Sequence, residues 1–158
     1  MTDKEAVKNQ MKITNTIFVG LTFGLIVFFI VAVYLMQNEF AVQAQVPDTI
    51  LTFLVPVFGL LMMFLSRLLY KKFLSRLSPD KDLIQKLIQY RTSKIISWAM
   101  IEAAALLALI ASILTLNYLY IAVFVLLFGF FFLSRPTKES LVKDLRLTSD
   151  ESEIIFKS

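Results

Sequence analysis

The chain has 158 residues, 58% of them hydrophobic, 13% aromatic and only 18% charged, with a net charge of +4 and a mean hydropathy of +0.74. A soluble domain carries roughly 45–50% apolar and about 25% charged residues, so this composition excludes a soluble globular domain and a disordered or low-complexity chain. With no Cys and no His, it also excludes disulfides, thiolate nucleophiles, iron–sulfur clusters and imidazole-based catalysis or metal ligation.

A polar, charge-mixed arm over residues 1–12 leads into the first apolar segment, Ile13 to Met36, which holds no charge. Val42-Gln43-Ala44 has the small residues of a cleavage site. The segment is far longer than the about 7–15 residues of a signal h-region, so it reads as a retained span. The second segment runs from Thr49 to Tyr70 with Arg67 in its last turn, and contains Pro56, which removes a backbone hydrogen bond and predicts a kink. The third, Ile95 to Thr115, is uncharged except for Glu102, and the fourth, Tyr118 to Ser134, is the shortest. A bilayer core of roughly 30 Å needs about 20 helical residues, and backbone groups in hydrocarbon must be satisfied internally, so all four are predicted transmembrane helices.

Between spans 2 and 3, Ser78-Pro79-Asp80 has the form of an N-cap, a first-turn proline and an acidic first turn. Leu83, Ile84, Leu87 and Ile88 then recur at helical spacing. This helix over 79–94 is either interfacial or an extension of span 3, and the absence of Gly or Pro before Ile95 favours the extension. Spans 3 and 4 are joined by Leu116-Asn117, with Asn117 expected in the left-handed conformation of a tight turn. Tyr118 and Tyr120 would belong to an outer aromatic belt, and Tyr70, Tyr90 and Trp98 to an inner one. After span 4, Pro136 stops the helix, Thr137 can cap a new one, and Leu141, Val142 and Leu145 form a short apolar stripe. The final SDESEIIFKS is either a disordered tail or a docking peptide, and termini usually behave as the former.

Every Lys and Arg except Arg67 lies before span 1, between spans 2 and 3, or after span 4. The positive-inside rule then places both termini and the middle loop in the cytoplasm. The same asymmetry accounts for the net charge without a nucleic-acid partner, and its basic clusters can attract anionic lipids. The expectation is an all-α polytopic membrane protein, four transmembrane helices in an antiparallel bundle over 1–134, N-in/C-in, with a cytoplasmic amphipathic segment and tail over 135–158.

Glu102 is the residue most suggestive of chemistry. It lies about 10 Å into span 3, where a carboxylate costs roughly 2.5–3.5 kcal/mol and should face the bundle interior or a crevice. Either it is an ion or proton site, or it is a paired or protonated group that fixes helix packing. Arg67 is a candidate partner, and Asn15, Thr16 and Ser97 lie at similar depth. Together these five predict a polar pocket opening toward the cytoplasm. Thr16-x-x-x-Gly20-x-x-x-Gly24 and Ala104-x-x-x-Ala108-x-x-x-Ser112 form two ridges of small residues suited to close helix approach, between copies of the chain or between spans 1 and 3. No phosphate-binding glycine loop, nucleophile elbow or zincin helix occurs, so no enzyme, metal or cofactor is implied.

The run Arg91-Thr92 through Ile101-Glu102-Ala103-Ala104-Ala105-Leu106-Leu107, with Arg135-Pro136-Thr137-Lys138-Glu139, resembles uncharacterised four-span bacterial inner-membrane proteins, which implies that location and no activity. The Glu-Ala-Ala stretch is also similar to the carboxylate helix of the ATP synthase c subunit, which marks Glu102 as a protonatable candidate. The glycine-rich first helix of that subunit has no counterpart here, and span 4 is Phe-rich. The function expected is a small accessory or scaffold subunit acting through membrane lipids and membrane helices, its own copies included. The alternative is a transporter or channel component handling a proton or cation at Glu102.

Overall fold

The computed structural model describes residues 3–38, 48–76, 82–145 and 147–157, and they form six helices. These are α1 (Asp3–Gln37), α2 (Asp48–Ser75), α3 (Leu83–Thr115), α4 (Leu119–Leu133), α5 (Lys138–Leu145) and α6 (Ser149–Lys157). Three stretches, Glu5–Gln37, Thr49–Ser75 and Leu83–Thr115, are long and apolar enough to cross a membrane. The fourth expected span is shorter than the sequence suggests. α4 has 15 residues, a rise of about 22 Å against a hydrocarbon core of roughly 30 Å. It reaches a fourth candidate crossing only together with α5, across a 75° bend.

α3 is the hub, packing on α1, α2 and α4. Its buried stripe sets the small residues Ala104, Ala105, Ala108, Ala111 and Ser112 beside Trp98, Ile101 and Leu109, and at the small positions neighbouring helices can approach closely. α1 meets this core through Phe18, Leu25 and Ala32, which recur every two turns on one face. Phe18 stacks on Phe131 with ring centroids 5.1 Å apart, and Phe29 on Phe124 at the same distance. Gly59 on α2 lies against Leu127 of α4, where an added Cβ would sit 3.4 Å from the Leu127 side chain.

Cross-helix contacts fix the helix directions. The Thr52 and Tyr120 hydroxyls share a hydrogen bond of 3.3 Å at one end, while the Gln89 amide donates to the Phe73 carbonyl at the other. α2 and α4 therefore run opposite to α3. At the basic end a second apolar cluster joins Val7 of α1, Leu83, Leu87 and Tyr90 of α3, Leu141 and Leu145 of α5, and Ile155 of α6. Val7, in the first turns of α1, and Ile155, in α6, thus lie at the same end of the bundle.

The favoured extension of span 3 holds, while other local expectations change. The helix expected over 79–94 is continuous with span 3 and starts at Leu83, after Asp82; Ser78-Pro79-Asp80 lies outside the described residues, as does Val42-Gln43-Ala44. The left-handed residue of the α3–α4 turn is Leu116, at φ 55°, and not Asn117. Asn117 instead has a negative φ and accepts a hydrogen bond of 2.9 Å from the Leu119 N–H, two residues on. Tyr90, Trp98 and Tyr120 are buried core residues and not belt residues, because each finds a partner for its polar tip inside the fold. The terminal segment is the ordered helix α6, which docks on α1 and buries Ile155 fully.

Candidate functional site at the basic end

The polar residues of the described chain concentrate where α2 ends, α3 begins and α5 folds back. Pro136 and the bend after α4 turn the chain out of the apolar layer. Thr137 then caps α5 reciprocally with Ser140: the Ser140 N–H donates to Thr137 Oγ1 at 3.1 Å, and the Thr137 N–H donates to Ser140 Oγ at 3.2 Å. This holds Asp144 over α2, where its carboxylate accepts from the Tyr70 hydroxyl. The Tyr90 and Ser140 hydroxyls share a bond of 3.1 Å, and the Trp98 indole N–H donates to Ser134 Oγ at 3.1 Å.

Lys94 is buried at the centre of this arrangement. Burying an ammonium is costly unless its charge is compensated. Here it lies 4.5 Å from the centroid of the Tyr70 ring and 5.5 Å from that of Tyr90, and it donates to the Ser134 carbonyl at 3.5 Å. The group ties α5 to α2 and α3 through side chains whose polar atoms are satisfied.

α6 is tied on by a second device. Lys86 of α3 and Glu151 of α6 form an ion pair at 2.7 Å, and Thr148 and Glu151 cap α6 reciprocally. Burial pushes the Glu151 carboxyl up. Hydrogen bonds from Lys86 and Thr148, with the Lys86 charge, more than offset this and hold it below the ordinary carboxylate range.

Beside this clasp two cavities open along α1. One, of about 300 Å³, is lined by Lys12, Arg135 and Lys138 together with Leu87, Tyr90 and Leu141. The other, of about 350 Å³, is lined by Phe18, Val19, Phe23, Ile26 and Phe132. They meet at Asn15 and Arg135, which line both.

No family model, curated protein or solved structure matches the chain. The site therefore has to be understood from its own geometry.

Of the residues singled out by sequence, Asn15 is exposed at the junction of the two cavities, whereas Thr16, Arg67, Ser97 and Glu102 line neither. Ser97 is buried in α3, Thr16 is exposed, and Glu102 is half-buried at the margin of the α3 stripe. The Arg67 guanidinium lies 4.7 Å over the Phe130 ring of α4 and makes no ion pair with Glu102. No hydrogen bond joins any two of the five among the described residues. The small-residue ridges separate: Ala104, Ala108 and Ser112 are buried, while Gly20 and Gly24 face open space. Among the described residues no group of three or more Asp or Glu is placed to hold a metal ion.

Residues not anticipated from the sequence are Lys94, Asp144, Lys86 and Glu151. The last had a signal, since Thr148-Ser149-Asp150-Glu151 is a capping-box pattern preceding an apolar pair. Lys94 and Asp144 had none, because their relation depends on the bend that returns α5 to α2.

Proposed function

We propose that the chain is a small integral membrane protein of the bacterial inner membrane, with four spans and both termini cytoplasmic, that serves as an accessory or scaffold subunit through membrane-helix contacts. The observation that carries this reading is the outer face of α1. Thr16, Gly20 and Gly24 lie roughly 110–170° around the helix from the Phe18–Leu25 stripe that packs on α3. Apart from the two neighbouring residues and the backbone of α1 itself, nothing among the described residues approaches within 4 Å of where a Cβ would stand at either glycine. Flanking Val19, Phe23 and Val27 are exposed. A flat apolar ridge without an internal partner is the surface on which another membrane helix packs closely. α4 and α5 would make the fourth crossing as a bent pair, with local bilayer thinning offsetting the short length.

The chain has no cysteine, so a single Gly24→Cys substitution supplies a unique crosslinking site. In native membranes it should trap one discrete adduct, either a second copy or another membrane protein, while Leu126→Cys on exposed α4 should not. Recovery of only the uncrosslinked chain from both variants would refute the reading.

The alternative, proton or cation handling at Glu102, draws support from a half-buried carboxylate within α3 that has no hydrogen bond or ion pair among the described residues. It is tested by ion-dependent flux in reconstituted vesicles.

A further inference from the structure

The two joined cavities differ in chemistry in a way that matches one class of molecule. Lys12 immediately precedes the apolar run of α1, which begins at Ile13. Arg135 follows Ser134 at the end of α4, and Lys138 opens α5. The three cations therefore stand where the apolar layer gives way to water, the level of lipid headgroups. None of them has an ion-pair partner among the described residues, and no acidic side chain lines either cavity. The Asn15 side chain, at the junction, likewise makes no hydrogen bond within the described chain. From that point the second cavity runs along the apolar layer between Phe18, Phe23 and Ile26 of α1 and Phe132 of α4. An unpaired cationic mouth continuous with an aromatic groove is complementary to a molecule with an anionic head and an apolar chain.

We propose that this composite cavity is a specific site for one anionic phospholipid, whose phosphate is held by Lys12, Arg135 and Lys138 and whose acyl chain lies along the Phe18–Phe132 groove. The assignment rests on the membrane reading but not on the scaffold role. Basic pockets at helix ends bind anionic headgroups in this way, and each Lys or Arg near such a surface contributes about 1 kcal/mol, or roughly fivefold in affinity. The occupant would also fill the space between α1 and the α4–α5 bend, so the lipid would brace the clasp that carries Lys94 and Asp144.

The test is native mass spectrometry of the full chain in mild detergent, titrated with phosphatidylglycerol, phosphatidylcholine or inorganic phosphate. The expected result is one saturable phosphatidylglycerol adduct, no comparable phosphatidylcholine adduct, and no displacement by millimolar phosphate. Arg135→Gln should weaken the adduct about fivefold, and Lys12→Gln, Arg135→Gln and Lys138→Gln together on the order of 100-fold. Val19→Trp, which fills the groove and leaves the cations, should also abolish it. Lys71→Gln, Lys72→Gln and Arg76→Gln together remove three exposed cations outside the cavity and should leave it unchanged. An equal loss in that control would mean diffuse attraction to a basic surface and would overturn the site. Displacement by phosphate, or an unaltered adduct in the Val19→Trp variant, would overturn the acyl groove. Extraction of the chain from membranes by alkaline carbonate without detergent would instead sink the membrane reading, whatever the lipid result.

Discussion

Gly20, Gly24 and Gly59 all lie inside apolar helices, yet the structure predicts opposite responses to enlargement. A side chain at Gly20 or Gly24 meets nothing within 4 Å, so Gly20→Leu with Gly24→Leu adds no clash inside the fold. Replacing glycine in a helix interior also recovers about 0.5–1 kcal/mol of backbone entropy per site, or roughly 1–2 kcal/mol for the pair. Gly59 is buried, and its added Cβ would already stand 3.4 Å from Leu127 Cδ1. Gly59→Leu must then drive a whole isobutyl group into α4, and overpacking of this kind costs about 1–3 kcal/mol. Circular-dichroism melting of the detergent-solubilised chain should show the Gly20/Gly24 pair unchanged or raised by a few degrees and Gly59→Leu lowered. The same Gly20/Gly24 variant should lose its crosslinked or copurifying partner, because two leucines turn the ridge into a knob. A pair variant that melts as early as Gly59→Leu would refute the open face. One that keeps its partner would refute the use assigned to that face.

Three further outcomes are expected. Leu116 occupies the left-handed region, which costs a non-glycine residue about 1–2 kcal/mol, so Leu116→Gly should raise the melting temperature and Leu116→Val should lower it. Glu151 has a depressed pKa in the folded state, so its contribution to α6 docking is complete above the ordinary carboxylate pKa, near pH 4, and is lost as the pH falls through the folded value. Relative to the intrinsic exchange rate at each pH, the hydrogen-exchange protection of α6 should therefore fall selectively at acid pH, and Glu151→Gln should remove that pH dependence. Glu102→Gln should leave partner recovery intact under the scaffold reading; loss of ion-dependent flux in reconstituted vesicles would establish the alternative, and unchanged flux would remove it.

The sequence made the long helices legible because a bilayer imposes a length and a hydropathy that few other environments demand. Ile13–Met36 and Ile95–Thr115 fall inside α1 and α3, and the uninterrupted stretch before Ile95 is helical as its lack of Gly and Pro indicates. What hydropathy could not convey is which face of each helix turns inward. On α4, read as IAVFVLLFGFFFL, every position is apolar, so Phe124, Leu127 and Phe131 are distinguished from exposed Val125, Leu126 and Leu133 only by packing. The same ambiguity hid the outward turn of Gly20 and Gly24. Arg67 shows a different difficulty: opposite charges at matched depth suggested a pair with Glu102, but the flank of α2 that carries Arg67 faces the Phe130 ring of α4. Thr137 was readable as a cap because its neighbours are polar and its helix short. Thr148 is harder to read as a cap, because an acidic terminus points to disorder more strongly than the Thr–Glu spacing points to a helix.

The chain's single tryptophan has a consequence for watching this molecule at work. Trp98 is wholly enclosed, its ring 5.2 Å from that of Phe18 and its N–H on Ser134 at the bend between α4 and α5. Loss of that bond, with water admitted to the indole, would move its emission to longer wavelength. The indole is thus an intrinsic optical reporter of packing at the α4–α5 bend, readable without a dye or a label.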